Sequence, residues 1–300
     1  MGTAGVRARP RRCCAAPEQA AEHPLRHGAA PRVHAGAAPG STVPSAAMLA
    51  RLFGFEVPED PLSQFLFLTI SGIAFYFALS GLSYLVFFVW GKKRFHPTYQ
   101  PDPKANRGAM KWGVIGTLGN VLLMMPFHWG IANGYSQIYW DVADYGWAWL
   151  VASLVIYLVF TETCIYWAHR WLHTDFGYKH LHKIHHEWRV TTSWVSMAFH
   201  PFDSFLQALP HHLIGFLLPI NGWMYLFFVG FVAAWSVIIH DRVSFVRWNV
   251  INYTGHHTLH HWFYDCNYGQ FFTFWDKLMG THRDPAAYEK SGEVPEGVLR

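Results

Sequence analysis

Four long stretches of the chain carry no Asp, Glu, Lys or Arg: residues 61–91, 112–140, 145–161 and 204–240. About 20 apolar residues carry a helix across a bilayer core. The first two stretches are long enough, and the third becomes so if its helix continues through Glu162 to Tyr166. The fourth has 37 residues, too many for one span, and reads Leu218-Pro219-Ile220-Asn221-Gly222 at its centre. That turn signal predicts a helical hairpin returning to its starting side. The pattern predicts an all-α integral membrane protein with about four transmembrane helices, the last pair a hairpin. The aromatic stretch after His261, with interspersed Asp, Lys and Gly, predicts a cap outside the bilayer.

Charge sets the expected sidedness. Lys92, Lys93, Arg94, Lys104, Arg107 and Lys111 fall between the first two runs, opposed only by Asp102. Asp141 and Asp144 lie between the second and third, with no basic residue. The positive-inside rule places the first loop, and the end of the third span near His169, in the cytoplasm. Residues 1–47 differ from the rest, being dominated by Ala, Pro, Gly and Arg, with no Phe, Trp, Tyr, Ile, Lys or Asp. They read as a disordered or targeting tail, or as sequence ahead of a start at Met48. Residues 48–300 form the membrane domain.

Composition adds one fact. Of 300 residues, 52% are apolar and only 14% charged, which excludes a disordered chain. Histidine is the outlier, with 20 copies against 19 acids. The net charge of +4 is scattered, and no nucleic-acid partner is expected. Four cysteines without a CxxC read as free thiols, and no GxGxxG or GxxxxGK[ST] marks a nucleotide site.

Fourteen of the histidines lie between His169 and His261. Three groups are spaced so that helical neighbours share a face: His169 and His173; His182, His185 and His186; His257, His260 and His261. His200, before Pro201, and His240, at the hairpin's end, are further candidate ligands. A hairpin that returns to its own side lets all of them converge at the cytoplasmic membrane edge. That is too many imidazoles for one metal and suits two. His180, His211, His212 and His256 lack this spacing and read as ordinary buried or interfacial residues. Glu162, seven residues before His169, shares its helical face and is a candidate to orient a ligand, with a snorkelling interfacial acid as the plainer reading.

The order HxxxH, HxxHH, HxxHH on a membrane protein resembles the fatty acid hydroxylase/sterol desaturase superfamily. The resemblance is greatest to its sterol C5-desaturase (lathosterol oxidase) branch. It rests on Tyr166-Trp-Ala-His-Arg-Trp-Leu-His173, Leu181-His-Lys-Ile-His-His-Glu-Trp188, the segment Ala198–Pro210, His240-Asp241, His256–His261 and Asn267-Tyr-Gly-Gln-Phe-Phe-Thr-Phe-Trp-Asp276. Two positions depart from the family pattern: Thr174 ends the first box where it has histidine, and Leu259 stands where the third box has an acid. The resemblance implies two iron ions, molecular oxygen and two electrons, with a C5–C6 double bond introduced into a Δ7-sterol. Oxidation of another lipid by the same scaffold, such as hydroxylation of a fatty acid or carotenoid or attack on a sterol C4-methyl group, is the enzymatic alternative. Metal binding or transport is the non-enzymatic one. With no flavin, nicotinamide, haem or iron–sulfur motif in the chain, the electrons are expected from cytochrome b5 or a ferredoxin with its reductase. The membrane would be endoplasmic reticulum in a eukaryote and the cytoplasmic membrane in a bacterium.

Overall fold

The computed structural model describes residues 58, 60–294, 298 and 299, all within the compact unit Ala38–Arg300. The tail expected at 1–47 lies outside the described residues. Helix α1 (Pro61–Trp90) starts where the Asp60 carboxylate accepts from Ser63 N and Pro61 takes the first helical position. Its last two turns, Tyr84–Trp90, widen into a π-helix. Helix α2 (Pro103–Ala132) repeats this start, with Asp102 accepting from Lys104 N and Ala105 N. A two-residue strand, β1 (Ile138–Tyr139), leads to α3 (Gly146–Leu172). Helix α4 (Pro201–Leu217), strand β2 (Ile220–Asn221) and α5 (Gly222–His240) follow, then the short α6 (Thr254–Phe263).

Among the described residues α1, α2, α3 and α5 are long and apolar enough to cross a membrane. The protein is an integral membrane protein. One stripe of α3, Val151, Val155 and Val159, is more than half exposed. Such a stripe at four-residue spacing, facing away from the other helices, is in place only against lipid.

The predicted hairpin forms from α4 and α5. Its apex strand β2 pairs in parallel with β1, Ile138 opposite Ile220 and Tyr139 opposite Asn221. Trp149 Nε1 donates to the Pro219 carbonyl at 2.9 Å. The apex therefore meets the loop between α2 and α3, and the hairpin runs the length of the bundle. At 1.5 Å per residue α4 is about 26 Å long, just short of a bilayer core of about 30 Å.

The start of α4 is fixed by glycines on α2. A Cβ at Gly116 would lie 2.8 Å from the Phe199 carbonyl oxygen, and one at Gly119 would overlap the Pro201 ring. Two bare positions one turn apart let the Phe199–Pro201 segment press against the helix, which sets where Asp203 begins its own turn.

Candidate metal centre

Nine of the ten histidines read from sequence as ligands gather at one end of the helices, in two groups. The first contains His169, His173, His182, His186 and His260; the second contains His185, His240, His257 and His261. Within each group the ligand nitrogens lie within 4.8 Å of one another. The groups adjoin, with the His186 and His261 rings 4.6 Å apart.

Local structure deals the boxes between the groups. Helix α3 brings His169 in on its last turn and ends with His173 as its C-cap. The second box is not an α-helix. A π-turn over Tyr178–His182 is followed by a 3₁₀ turn over His185–Glu187, so His182 and His186 face the first group and His185 the second. On α6, His257 and His261 serve the second group, while His260 serves the first. The simple expectation that each box offers its imidazoles in one direction is corrected here: each HxxHH box straddles both groups.

The tautomers are legible from the hydrogen bonds. His182 Nδ1 donates to Asp203 Oδ2 at 2.7 Å, His169 Nδ1 to the Tyr268 carbonyl at 2.9 Å, and His260 Nδ1 to the Cys266 carbonyl at 2.7 Å. In the second group His240 Nδ1 donates to the Ser236 carbonyl at 2.6 Å. Each of these rings then presents an Nε2 lone pair. Yet His169 Nε2 and His182 Nε2 stand 3.3 Å apart with no proton to share. In the second group His240 Nε2 stands 3.0 Å from His257 Nε2 and 3.3 Å from His185 Nε2. Converging lone pairs repel unless a cation lies between them. Imidazole–metal bonds of about 2.0–2.1 Å place neighbouring ligand nitrogens about 3.0–3.4 Å apart, the spacing seen here. His173 Nε2 and His260 Nε2 are buried with no hydrogen-bond partner, as ligands awaiting a metal would be. The residues fit a metal in each group.

Burial, and then the neighbouring imidazoles, hold His185, His186, His257, His260 and His261 well below the usual histidine range. They are neutral at neutral pH, which is the form that binds metal.

His200 is not part of either group. Its Nδ1 accepts from Phe202 N at 3.3 Å, capping α4. The structure does not bring it together with the expected ligands: a residue directly before Pro at the first helical position stands at the N-cap, and its ring turns back on its own helix. Among the described residues Glu162 makes no hydrogen bond to a histidine. Its carboxylate accepts from Phe271 N at 2.7 Å and Phe272 N at 2.8 Å. It pins the loop whose Tyr268 carbonyl holds His169, so it acts on a ligand through that loop. Asp203, fully buried, was not singled out by spacing; it follows His200-Pro201-Phe202 and accepts from both His182 and Gln207 Nε2. Asp276 does similar work, accepting from Tyr268 N and Gly269 N.

The two departures from the family pattern have local explanations. Thr174 Oγ1 donates to the Trp171 carbonyl and caps the turn Asp175–Gly177. Leu259 is fully buried on the far face of α6 against Cys266, Val294 and Val298. Neither position reaches the metal groups.

A cavity of about 520 Å³ opens from the second group into the helix bundle. His185, His240 and His257 line it together with His169, and its walls include Leu68, Phe75, Ile165 and Phe199. Phe199 stacks on the His185 ring, centroids 4.1 Å apart.

A model of the fatty acid hydroxylase family matches residues 154–281, a segment that contains all nine clustered histidines. The chain is 36% identical to the Delta(7)-sterol 5(6)-desaturase ERG3B of Gibberella zeae, across 78% of this chain and 74% of that one. It is 36% identical to the lathosterol oxidase of Mus musculus, across 78% of this chain and 81% of that one. This chain belongs to the fatty acid hydroxylase family. The Delta(7)-sterol 5(6)-desaturase ERG3 of Candida albicans is 40% identical across 76% of this chain, which spans 58% of that protein. No solved structure matches. The chain is a membrane oxidoreductase of that family, and both histidine groups could hold a metal.

Proposed function

We propose that this protein is an oxygen-dependent sterol C5-desaturase that introduces a C5–C6 double bond into a Δ7-sterol, using two irons. The observation that carries the reading is the apolar cavity leading from the membrane interior to a pair of adjoining, all-imidazole metal groups. The names of the relatives supply the substrate class. His169, His173, His182, His186 and His260 would hold one iron, and His185, His240, His257 and His261 the other. Iron so held supplies the oxidising power drawn from oxygen and two electrons. Zinc lacks redox chemistry and would leave the centre inert.

The chain's own part is placement. Asp203, the Tyr268 and Cys266 carbonyls and the Ser236 carbonyl lock four rings in one tautomer before any metal binds. The apolar walls exclude water and hold a ring carbon of the substrate against His185, His240 and His257. The electrons come from a separate carrier, cytochrome b5 or a ferredoxin with its reductase.

Sidedness follows from the same end of the bundle. Trp188, just past the second box, donates Nε1 to the Ala105 carbonyl, and Thr192 donates to Asn106 Oδ1. The basic segment Lys92–Lys111 therefore lies at the histidine end, which supports a centre facing the cytoplasm, at the endoplasmic reticulum in a eukaryote or the cytoplasmic membrane in a bacterium. Ligands at one edge argue against a transporter, whose sites lie near the bilayer midplane.

Expression in a host that lacks C5-desaturation and accumulates Δ7-sterols tests the reading. Conjugated Δ5,7-sterols are the expected product. Unchanged Δ7-sterols alongside a newly hydroxylated lipid would overturn it in favour of a lipid hydroxylase.

A further inference from the structure

The cavity ends in polar groups that the metal centre does not use. His211 and His212 are both buried on α4, with the His128 ring 4.9 Å from that of His212. An ionisable side chain placed there is a functional candidate. Each ring faces a tyrosine: His211 Nδ1 is 2.7 Å from Tyr157 Oη, and His212 Nδ1 is 2.6 Å from Tyr225 Oη.

Hydrogen-bond accounting then singles out His211. Tyr157 is fully buried, and among the described residues its hydroxyl has no other acceptor. Its O–H therefore donates to His211 Nδ1, which leaves the ring's proton on Nε2. That Nε2 is buried and makes no hydrogen bond. The Gln270 side chain lies against the ring, and Gln270 Nε2 is buried with no hydrogen-bond partner. Both residues line the cavity. Buried donors left without an acceptor are costly, so this pair calls for an oxygen. An imidazole N–H next to an amide, which both donates and accepts, is the complement of a hydroxyl group.

The placement along the bundle fits a sterol. His211 is eight residues from Asp203, about 12 Å along α4 at 1.5 Å per residue. Gln270 is two residues past Tyr268, whose carbonyl holds His169. The hydroxyl of a sterol is on C3, two carbons from C5. A ring system anchored by that hydroxyl presents its C5–C6 edge on the side of the metal-facing histidines.

We propose that His211 and Gln270 form the subsite that binds the substrate's C3 hydroxyl, with Tyr157 fixing the His211 tautomer that donates to it. This inference rests on the sterol reading above and names which part of the sterol is recognised. It makes the protein selective for free sterols over sterols lacking or masking the hydroxyl.

The test is equilibrium binding of radiolabelled Δ7-cholestenol to the purified full chain in lipid nanodiscs, in competition with unlabelled Δ7-cholestenol and with its 3-deoxy analogue. The wild type is expected to prefer the hydroxylated sterol about tenfold or more. His211→Phe and Gln270→Leu are each expected to bind both compounds equally, at the weaker level, with metal content unchanged. Gln270→Leu leaves the Tyr157 contact intact and guards against misfolding of the His211 variant. Equal binding of the two compounds by the wild type, or undiminished preference in Gln270→Leu, overturns the subsite. Turnover of Δ7-cholestenol is measured on the same wild-type preparation. Product formation without hydroxyl preference sinks the subsite and leaves the desaturase reading standing. Hydroxyl preference without product does the reverse.

Discussion

The five-histidine group and the four-histidine group are built differently, although they share two boxes and adjoin. In the first, His169, His182 and His260 have their Nδ1 atoms fixed by the Tyr268 carbonyl, Asp203 and the Cys266 carbonyl. In the second, His240 has such a bond, to the Ser236 carbonyl, while among the described residues the Nδ1 atom of His185 is buried and unpaired. The cavity reverses the ranking: His185, His240 and His257 line it, against His169 alone from the first group. The first group is the better anchored and the second the better exposed to substrate. One site is held rigid by the protein, and the other has room to work.

The sharpest way to break that contrast is to remove one ligand from each group. His260→Ala or His185→Ala should each abolish sterol oxidation, a loss of at least a thousandfold by product analysis. Full activity in either would remove that histidine from the centre. Next in size is Asp203→Asn, which keeps the shape but takes the charge from His182. Loss of such a partner costs about 10–100-fold in metal affinity or activity, read by iron retention under a chelator titration. An equal loss from mutating Ser236, whose side chain is not the acceptor for His240, would erase the asymmetry between the groups.

Glu162→Gln comes third. The amide keeps one acceptor for the Phe271 and Phe272 N–H groups and drops the charge, so the loop holding His169 loosens without losing a ligand. A stability loss of about 1–3 kcal/mol is expected in chemical unfolding, with activity reduced less than in Asp203→Asn. His200→Ala should be the mildest. Loss of an N-cap costs about 1 kcal/mol, and metal content should be unchanged; loss of a metal in this variant would return His200 to the ligand set.

The order of these effects follows what was legible in the sequence and what was not. Charge-free runs mark the spans because lipid tolerates no unpaired charge, and Pro219-Ile220-Asn221 marks the hairpin because the chain must reverse there. Eight of the nine clustered histidines stand out because His169, His182 and His257 each head a box of metal-ligand spacing; the ninth, His240, stands alone at the hairpin's end. Two contacts were out of reach. Asp203 meets His182 across 21 residues, and Glu162 meets Phe271 across 109. Spacing rules describe neighbours on one helix, not partners brought together by the bundle. The division of each box between two groups depends on the π-turn and 3₁₀ turn around His182–Glu187, which helical periodicity does not anticipate. His200 is different: its place before Pro201 is itself the signal of an N-cap, the position it takes in the structure.

The central claim is that two adjoining imidazole groups hold two irons that act together. Metal analysis of the purified full chain, paired with turnover of a Δ7-sterol on the same preparation, tests it most directly. The account predicts two irons per chain in active protein and a loss of turnover when either is removed or replaced by zinc. Full turnover with a single iron per chain, or with zinc in either group, would contradict it.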